Sequence, residues 1–491
     1  MTSSHPFNLK SAAQASMQEH GFQPRLSSEA ESELAVLLAR GLSLPLTGHG
    51  TEIADLRHLL WSSIDNDTSR DLDQIEWAEQ LRDGRMRVRV AVADVDGTVH
   101  QNTALDAHAE SETTSVYTGV TVFPMLPVEL SEGMTSLNEN EDRAALITEF
   151  CVDPNGVVSD GSVYRALVRN RAQLTYNAVG AWLAGGAEAP EKVQQNAELA
   201  DQLKLQDEAA RHMVGSRYQH GALDLETIET RPVMVHEEAV SLARQLKNHA
   251  TSLIEEFMVA ANGVMARTLD AARIASIRRV VRVPKRWDRI VQIAAELGVT
   301  LPDTPDSKAL NDFLRMRRKA DPVRFADLSL TIIKLMGPGE YVMVRPDEDP
   351  PGHFGLAVQD YTHSTAPNRR FADVVTQRLL KAHLTGAPTP YSAERLADIA
   401  ARCTRMEDNE RHVEREMAKR IAAVVLHKRI GQHFSAIVTG ISHAGTFVRA
   451  LEPHVEGMLV QGGRGFDVGD KLQVRLVNTN PERGFIDFAA V

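Results

Sequence analysis

Four aspartates fall within nine residues in the stretch Ser62-Ser63-Ile64-Asp65-Asn66-Asp67-Thr68-Ser69-Arg70-Asp71-Leu72-Asp73-Gln74. Like charges crowded this closely repel, so a fold that gathers them must bring in cations or leave them in water. A hard divalent cation answers the first need: Mg²⁺ takes oxygen ligands and commonly binds through one or two carboxylates plus a substrate phosphate. A solvated acidic turn answers the second. A calcium loop is a third reading, because Asp65, Asp67, Ser69, Asp71, Asp73 and Glu76 stand at positions 1, 3, 5, 7, 9 and 12 of an EF-hand loop. That loop needs glycine at position 6, which here is Arg70. The residues that follow, Met86-Arg87-Val88-Arg89-Val90-Ala91-Val92, alternate as a strand and not as the second helix of a calcium hand.

With 491 residues the chain has room for two to four domains, and 43% hydrophobic with 24% charged residues is ordinary for a globular protein. No run of about 18 apolar residues occurs, so no membrane helix is expected. Met1-Thr2-Ser3-Ser4-His5-Pro6 lacks a basic start and an apolar core, and Cys151 and Cys403 are too few for a disulfide framework, so the expected compartment is the cytoplasm. The net charge of −12 argues against a globally basic nucleic-acid coat, yet allows a basic channel within an acidic shell.

Along the chain, residues 8–40 read as two helices around Gly21 and Pro24, with Ser27-Ser28 as the cap of the second; a packing hairpin is expected rather than a DNA reader, since basic charge is sparse. Residues 52–170 read mainly as strand, 171–335 as mostly helical, and 392–430 as a long helix. From about 433 short strands and glycines take over, as in Phe434-Ser435-Ala436-Ile437-Val438-Thr439-Gly440 and Val468-Gly469-Asp470-Lys471-Leu472-Gln473-Val474.

Several motifs carry a resemblance. Asp65, then Arg70-Asp71-Leu72-Asp73, then Ala93-Asp94-Val95 resembles the catalytic signature of the ribonuclease II (RNB) family, D-x5-D-x-D-D, with Gln74 where the family has its fourth Asp. Ser115-Val116-Tyr117, Pro124-Met125-Leu126-Pro127, Ser136-Leu137-Asn138 and Glu255-Glu256-Phe257-Met258-Val259-Ala260-Ala261-Asn262 follow in the family's order. His353-Phe354-Gly355-Leu356-Ala357 and Tyr361-Thr362-His363-Ser364-Thr365-Ala366-Pro367-Asn368-Arg369-Arg370-Phe371-Ala372-Asp373 resemble its H-F-G-L-A and Y-T-H-F-T-S-P-I-R-R-Y-x-D. The C-terminal stretch is similar to an OB-fold RNA-binding domain of the ribosomal S-one type.

The resemblance implies an α+β fold: a helical segment over 1–50, an RNB catalytic domain with a mixed sheet surrounded by helices over 51–430, and a small all-β OB barrel over 431–491. It implies processive 3′-to-5′ hydrolysis of single-stranded RNA to nucleoside 5′-monophosphates by a cytoplasmic monomer without membrane contact. Asp65, Asp71, Asp73 and Gln74 would face Mg²⁺, two ions during catalysis, with Asp71 and Asp73 catalytic. Arg369 would hold the scissile phosphate, since a planar guanidinium gives bidentate contacts to phosphate oxygens. Tyr117 would stack on a base, Arg370 would support the site, and Glu414 would reach the terminal sugar. Phe447, Lys471 and Arg475 would meet RNA on the barrel, by stacking and charge. A competing class is an RNA-binding protein of the same fold without catalysis, for which Gln74 is the argument. The calcium-regulated interaction protein is the third.

Overall fold

The computed structural model describes residues 7–44, 53–226, 229–235, 238–245, 247–443 and 445–491. The expected boundary between 50 and 51 and the segment Met1–Pro6 lie outside these residues. The acidic stretch sits on the central sheet. Trp61–Asp65 and Gln74–Gln80 are strands, and residues 66–73 form the loop between them. Fully buried Ile64, Leu72 and Ile75 fix the loop and its ends to the core, so the aspartates cannot drift into solvent together.

Gln74–Gln80 turns back at Asp83-Gly84, where Gly84 takes a left-handed φ of 85°, and pairs antiparallel with Met86–Ala93. The alternation read in the sequence decides the faces. Met86, Val88, Val90 and Val92 are buried, while Arg87 and Arg89 point the other way to Glu79 and Glu149 at 2.7 and 2.6 Å. Asp142–Val152 adds on, and the 18-residue strand Val158–Thr175 pairs with it antiparallel at one end and with Trp61–Asp65 in parallel at the other. The pairings therefore return to their start, and Asp65 is held opposite Thr175. Helices Ala197–Gln219 and His249–Ala271 cover the buried face, where Phe150 meets Phe257 edge-on at 6.3 Å.

Among residues 171–335, expected to be mostly helical, Glu229–Val235 and Glu238–Gln245 instead form an antiparallel pair, and Ser276–Val280 pairs with Glu340–Val344. Pro232 inside the first run, and a link without Gly or Asn, hide the hairpin from a reading by turn signals. The N-terminal helices dock on the chain, as expected of packing elements, but on different partners. Leu9–Glu19 lies on the long helix Ala393–His427, where the Ser16 hydroxyl donates to Glu416 at 2.6 Å and Asn409 donates to the His20 carbonyl at 2.9 Å. Ser28–Arg40, capped by the Ser27 hydroxyl at 3.2 Å, packs by Ala104–Glu112, whose Leu105 amide donates to Glu33 at 3.0 Å.

Five strands, His433–Ser442, Gly445–Ala450, Val455–Gln461, Lys471–Asn480 and Phe485–Ala490, close into a C-terminal barrel around Phe434, Val448, Val474, Leu476 and Phe488. It is tied to the larger domain by Arg449 to Asp327 at 2.9 Å, Arg324 to the Gly469 carbonyl at 3.0 Å and His427 to Thr479 at 2.9 Å. No described helix is long and apolar enough to cross a membrane.

The helix Phe371–Thr385, which follows the second long motif, is anchored by buried Arg378. Its guanidinium donates to Asp96 at 2.7 Å, to Asp106 and the Tyr391 hydroxyl at 2.8 Å each, and to the Val99 carbonyl at 2.9 Å. Removing one partner of a buried ion pair strands the other charge, at a cost of about 3–5 kcal/mol. Arg378→Ala is expected to lose that much stability in urea denaturation, whereas an unchanged midpoint would show that the network is dispensable.

Candidate active site

The site forms where the acidic loop meets the segment 364–373, and each short motif has a structural task there. Ser136 holds the loop: its hydroxyl accepts from the Leu72 amide at 3.0 Å and donates to the Arg70 carbonyl at 2.8 Å, while the Leu137 amide donates to the Leu72 carbonyl at 2.9 Å. Asn262 holds the facing turn. Its Oδ1 accepts from the Ser364 amide at 2.9 Å and its Nδ2 donates to Thr365 at 3.3 Å. The buried Asp373 carboxylate accepts from the Ala366 amide and from Arg370, both at 2.8 Å. Arg370 thus braces the turn.

Asp73 joins the two segments. It is 2% exposed, and its Oδ1 accepts from the Asn368 amide at 2.8 Å, across 295 residues of chain. Its Oδ2 lies 3.4 Å from Nε of Arg369, whose side chain remains 43% exposed and so is open to a ligand. Burial pushes the Asp73 carboxyl up to about 7 against the opposing pull of Arg369. Burial also raises Asp65, opposed by the Asn66 amide, the Ser69 hydroxyl and Arg369. Asp71 repels both. The expected acids therefore share one electrostatic neighbourhood around Arg369.

Tyr117 belongs to the same pocket. The Ser115 amide donates to the Arg369 carbonyl at 3.0 Å and the Phe371 amide to the Thr113 carbonyl at 2.8 Å, so the segment before Tyr117 is stitched to the arginine turn. At 41% exposure Tyr117 is not a core residue. Its hydroxyl donates to Asp71 at 3.2 Å, and its amide donates to Glu414 at 3.2 Å, bringing the long helix to the pocket. Arg217 pairs with both Glu255 and Glu256, and Lys247 also pairs with Glu255.

Phe447, Lys471 and Arg475 lie on the barrel, and no hydrogen bond or ion pair joins them to the pocket. Phe447 is half-buried between the core positions Thr446 and Val448, and Lys471 and Arg475 are exposed. The EF-hand reading fails on architecture, because strands and not helices flank the loop.

Among the described residues no three His, Cys, Asp or Glu side chains converge closely enough to hold an ion as they stand. The donor chemistry still suits a hard cation. The donors are all oxygens, two of the carboxyls are raised by burial, and Gln74 is buried at the end of its strand. Sequence reasoning saw Glu76 only as the last position of a calcium loop; it stands two residues beyond Gln74 and therefore on the same face. It is fully buried, neither of its carboxyl oxygens has a partner, and burial, then Asp65, raises it well above the usual range. Its one signal was an acid at an inward position of an alternating strand.

The RNB domain family matches residues 53–386, more than half of the chain, and the RNase II-type exonuclease C-terminal S1 domain matches residues 432–491. The chain belongs to the RNB family. Ribonuclease R of Thermotoga maritima is 30% identical over 473 residues, covering 89% of this chain and 64% of that protein. Ribonuclease R 1 of Lactococcus lactis is 28% identical over 470 residues, covering 88% of this chain and 56% of that protein. The chain thus spans less than two thirds of the length of these relatives. Mycoplasma genitalium RNase R, solved in complex with ribose methylated single-stranded RNA, superposes with a TM-score of 0.87 at 24% identity, over 98% of this chain and 78% of that one. Yeast Ssd1, a pseudonuclease, superposes with a TM-score of 0.72 at 17% identity, over 95% of this chain and 57% of that one. The fold is therefore shared by ribonuclease R and by a protein described as a pseudonuclease.

Proposed function

We propose that this RNB protein is a 3′-to-5′ hydrolytic exoribonuclease that acts processively on single-stranded RNA and releases nucleoside 5′-monophosphates. The observation that carries the reading is the placement of Asp73 and Asp71 against Arg369 and Tyr117 in one pocket. Ribonuclease R relatives and the RNA-bound Mycoplasma neighbour support it.

Each side chain has a task in that reaction. Arg369 donates to the scissile phosphate and neutralises charge that builds on its oxygens. Asp65, Asp71 and Asp73, with the Gln74 carbonyl, would hold Mg²⁺, which when bound supplies an activated water and offsets charge on the leaving oxygen. Tyr117 offers its exposed ring to a base near the 3′ end, and its hydroxyl contact to Asp71 sets the distance from stack to acids. Glu414, which accepts from the Tyr117 amide, would meet the terminal sugar. On the barrel, Phe447, Lys471 and Arg475 would guide the strand toward the pocket by stacking and charge.

Gln74 favours a second reading, binding without catalysis, as does the fold's presence in a pseudonuclease. Incubation with 5′-labelled single-stranded RNA separates the two. The exoribonuclease reading expects mononucleotides and a short labelled end product, abolished by chelator; intact bound RNA at saturating Mg²⁺ would favour binding alone. Because glutamine brings no charge to the cation, Gln74→Asp is expected to lower the Mg²⁺ concentration for half-maximal cleavage, with about a tenfold change reflecting ~1.4 kcal/mol. An undetectable wild-type rate, restored by the aspartate, would contradict catalysis in the natural chain.

A further inference from the structure

The wall that carries Tyr117 is made of two pieces of chain, and both stand on an apolar cluster that the N-terminal helix helps to build. Val116–Tyr117 is a short strand paired with Val122–Phe123. Successive residues of a strand face opposite ways, so Val116 is fully buried while Tyr117 opens to the pocket. On the long helix Ala393–His427, fully buried Val413 precedes Glu414, which accepts from the Tyr117 amide at 3.2 Å. Val116 and Val413 share one cluster with Ala13 and Met17 of the helix Leu9–Glu19 and with Phe22 just beyond it. Ala13 and Met17 are four residues apart and so lie on one helix face. Ala13, Met17 and Phe22 are each 2% exposed or less. The turn after Tyr117 rests on the same long helix: a side chain at Gly119, whose φ is +81°, would meet Ile421 at 3.0 Å.

Polar contacts fix how the two helices meet. Glu416 accepts from the fully buried Ser16 hydroxyl at 2.6 Å and from Arg420, with His20 at 3.6 Å. Each helical residue turns the axis by about 100°, so holding Glu416 fixes the rotation of the long helix and the direction in which Glu414 leaves it. Beyond the N-terminal helix, the Gln23 amide donates to buried Glu112 at 2.9 Å, directly before the segment 113–115 that is stitched to the arginine turn.

We infer that Met17 and Ser16 are positioning residues for Tyr117: the N-terminal helix holds the strand 116–117 and the long helix at one separation and so sets the stacking ring against the acids. The inference rests on the reading of Tyr117 as the side chain that stacks on a base. Truncating Met17 leaves a cavity in the cluster on which both pieces stand, and the surrounding structure relaxes into such a cavity only in part. Stacking feels that relaxation, because a shift of about 1 Å in a positioned group can cost a hundredfold. The hydroxyl contact from Tyr117 to Asp71 at 3.2 Å carries the same shift to the acids. Ser16 acts through Glu416 on the rotation of the long helix, and so on the carboxylate that holds the Tyr117 amide.

The test is a cycle between protein and RNA. Equilibrium binding without metal is measured for one single-stranded RNA and for copies that lack one base at successive positions from the 3′ end. The base stacked on Tyr117 is the one whose removal weakens wild-type binding by about tenfold or more and weakens Tyr117→Ala hardly at all. Met17→Ala is expected to shrink that penalty to about threefold or less, and Ser16→Ala to shrink it by a smaller factor. Met17→Leu conserves volume and should keep the wild-type penalty. Thermal unfolding of each variant checks the fold, and Ser16→Ala decides the matter should Met17→Ala fail to fold. Undiminished penalties in Met17→Ala and Ser16→Ala, with all RNAs bound equally more weakly, would make the N-terminal helix a packing element only and overturn the inference. A Tyr117→Ala chain that keeps every wild-type penalty would instead remove the stacking reading itself, and the inference with it.

Discussion

The pocket depends on one buried carboxylate bridging two distant pieces of chain. Asp73 is withdrawn from water, and two groups on the turn at 366–370 compensate it: a backbone amide at 2.8 Å and a guanidinium at 3.4 Å. An isolated buried charge would neutralise itself instead, so the acid and the turn need each other. That mutual need sets the separation between the acids and Arg369 before any ligand arrives, which is the preorganisation that electrostatic catalysis requires.

The surrounding motifs maintain that separation. Ser136 fixes the backbone of the acidic loop, and Asn262 and Asp373 fix the turn. The backbone bonds from 113–115 to 369–371 place Tyr117 at the same edge. None of Ser136, Asn262 and Asp373 needs to touch RNA. They are hydrogen-bonding residues where irregular backbone is buried, and buried backbone must find partners. The same logic accounts for Arg378, which satisfies two carboxylates, a tyrosine and a carbonyl beneath the helix that follows the turn.

Much of this was legible in the sequence, for reasons that differ by residue. Asp65, Asp71, Asp73 and Arg369 were visible because crowded acids and a long motif around an arginine are unusual patterns. The alternation of Met86–Val92 gave its strand, and the glycine-rich texture beyond 433 gave the barrel. The hairpin 229–245 was hidden by Pro232 and by a link without turn residues. Glu76 was visible only as the last position of a calcium loop, because a single inward acid gives no signal of this site until its neighbours are known to be buried. Which residues the long helix brings to Tyr117 is a matter of tertiary packing, and no local pattern encodes it.

The central claim is that the charge of Asp73, and not merely its shape, makes the pocket a catalyst. Asp73→Asn measures this most directly, because the amide oxygen can still accept from Asn368 while the negative charge is gone. Single-turnover cleavage and equilibrium RNA binding should be read on the same preparation, with thermal unfolding as a check on the fold. The account predicts a folded protein that binds RNA as the wild type does and whose cleavage falls by about a thousandfold or more. A variant that cleaves at the wild-type rate would contradict it and move the catalytic centre elsewhere.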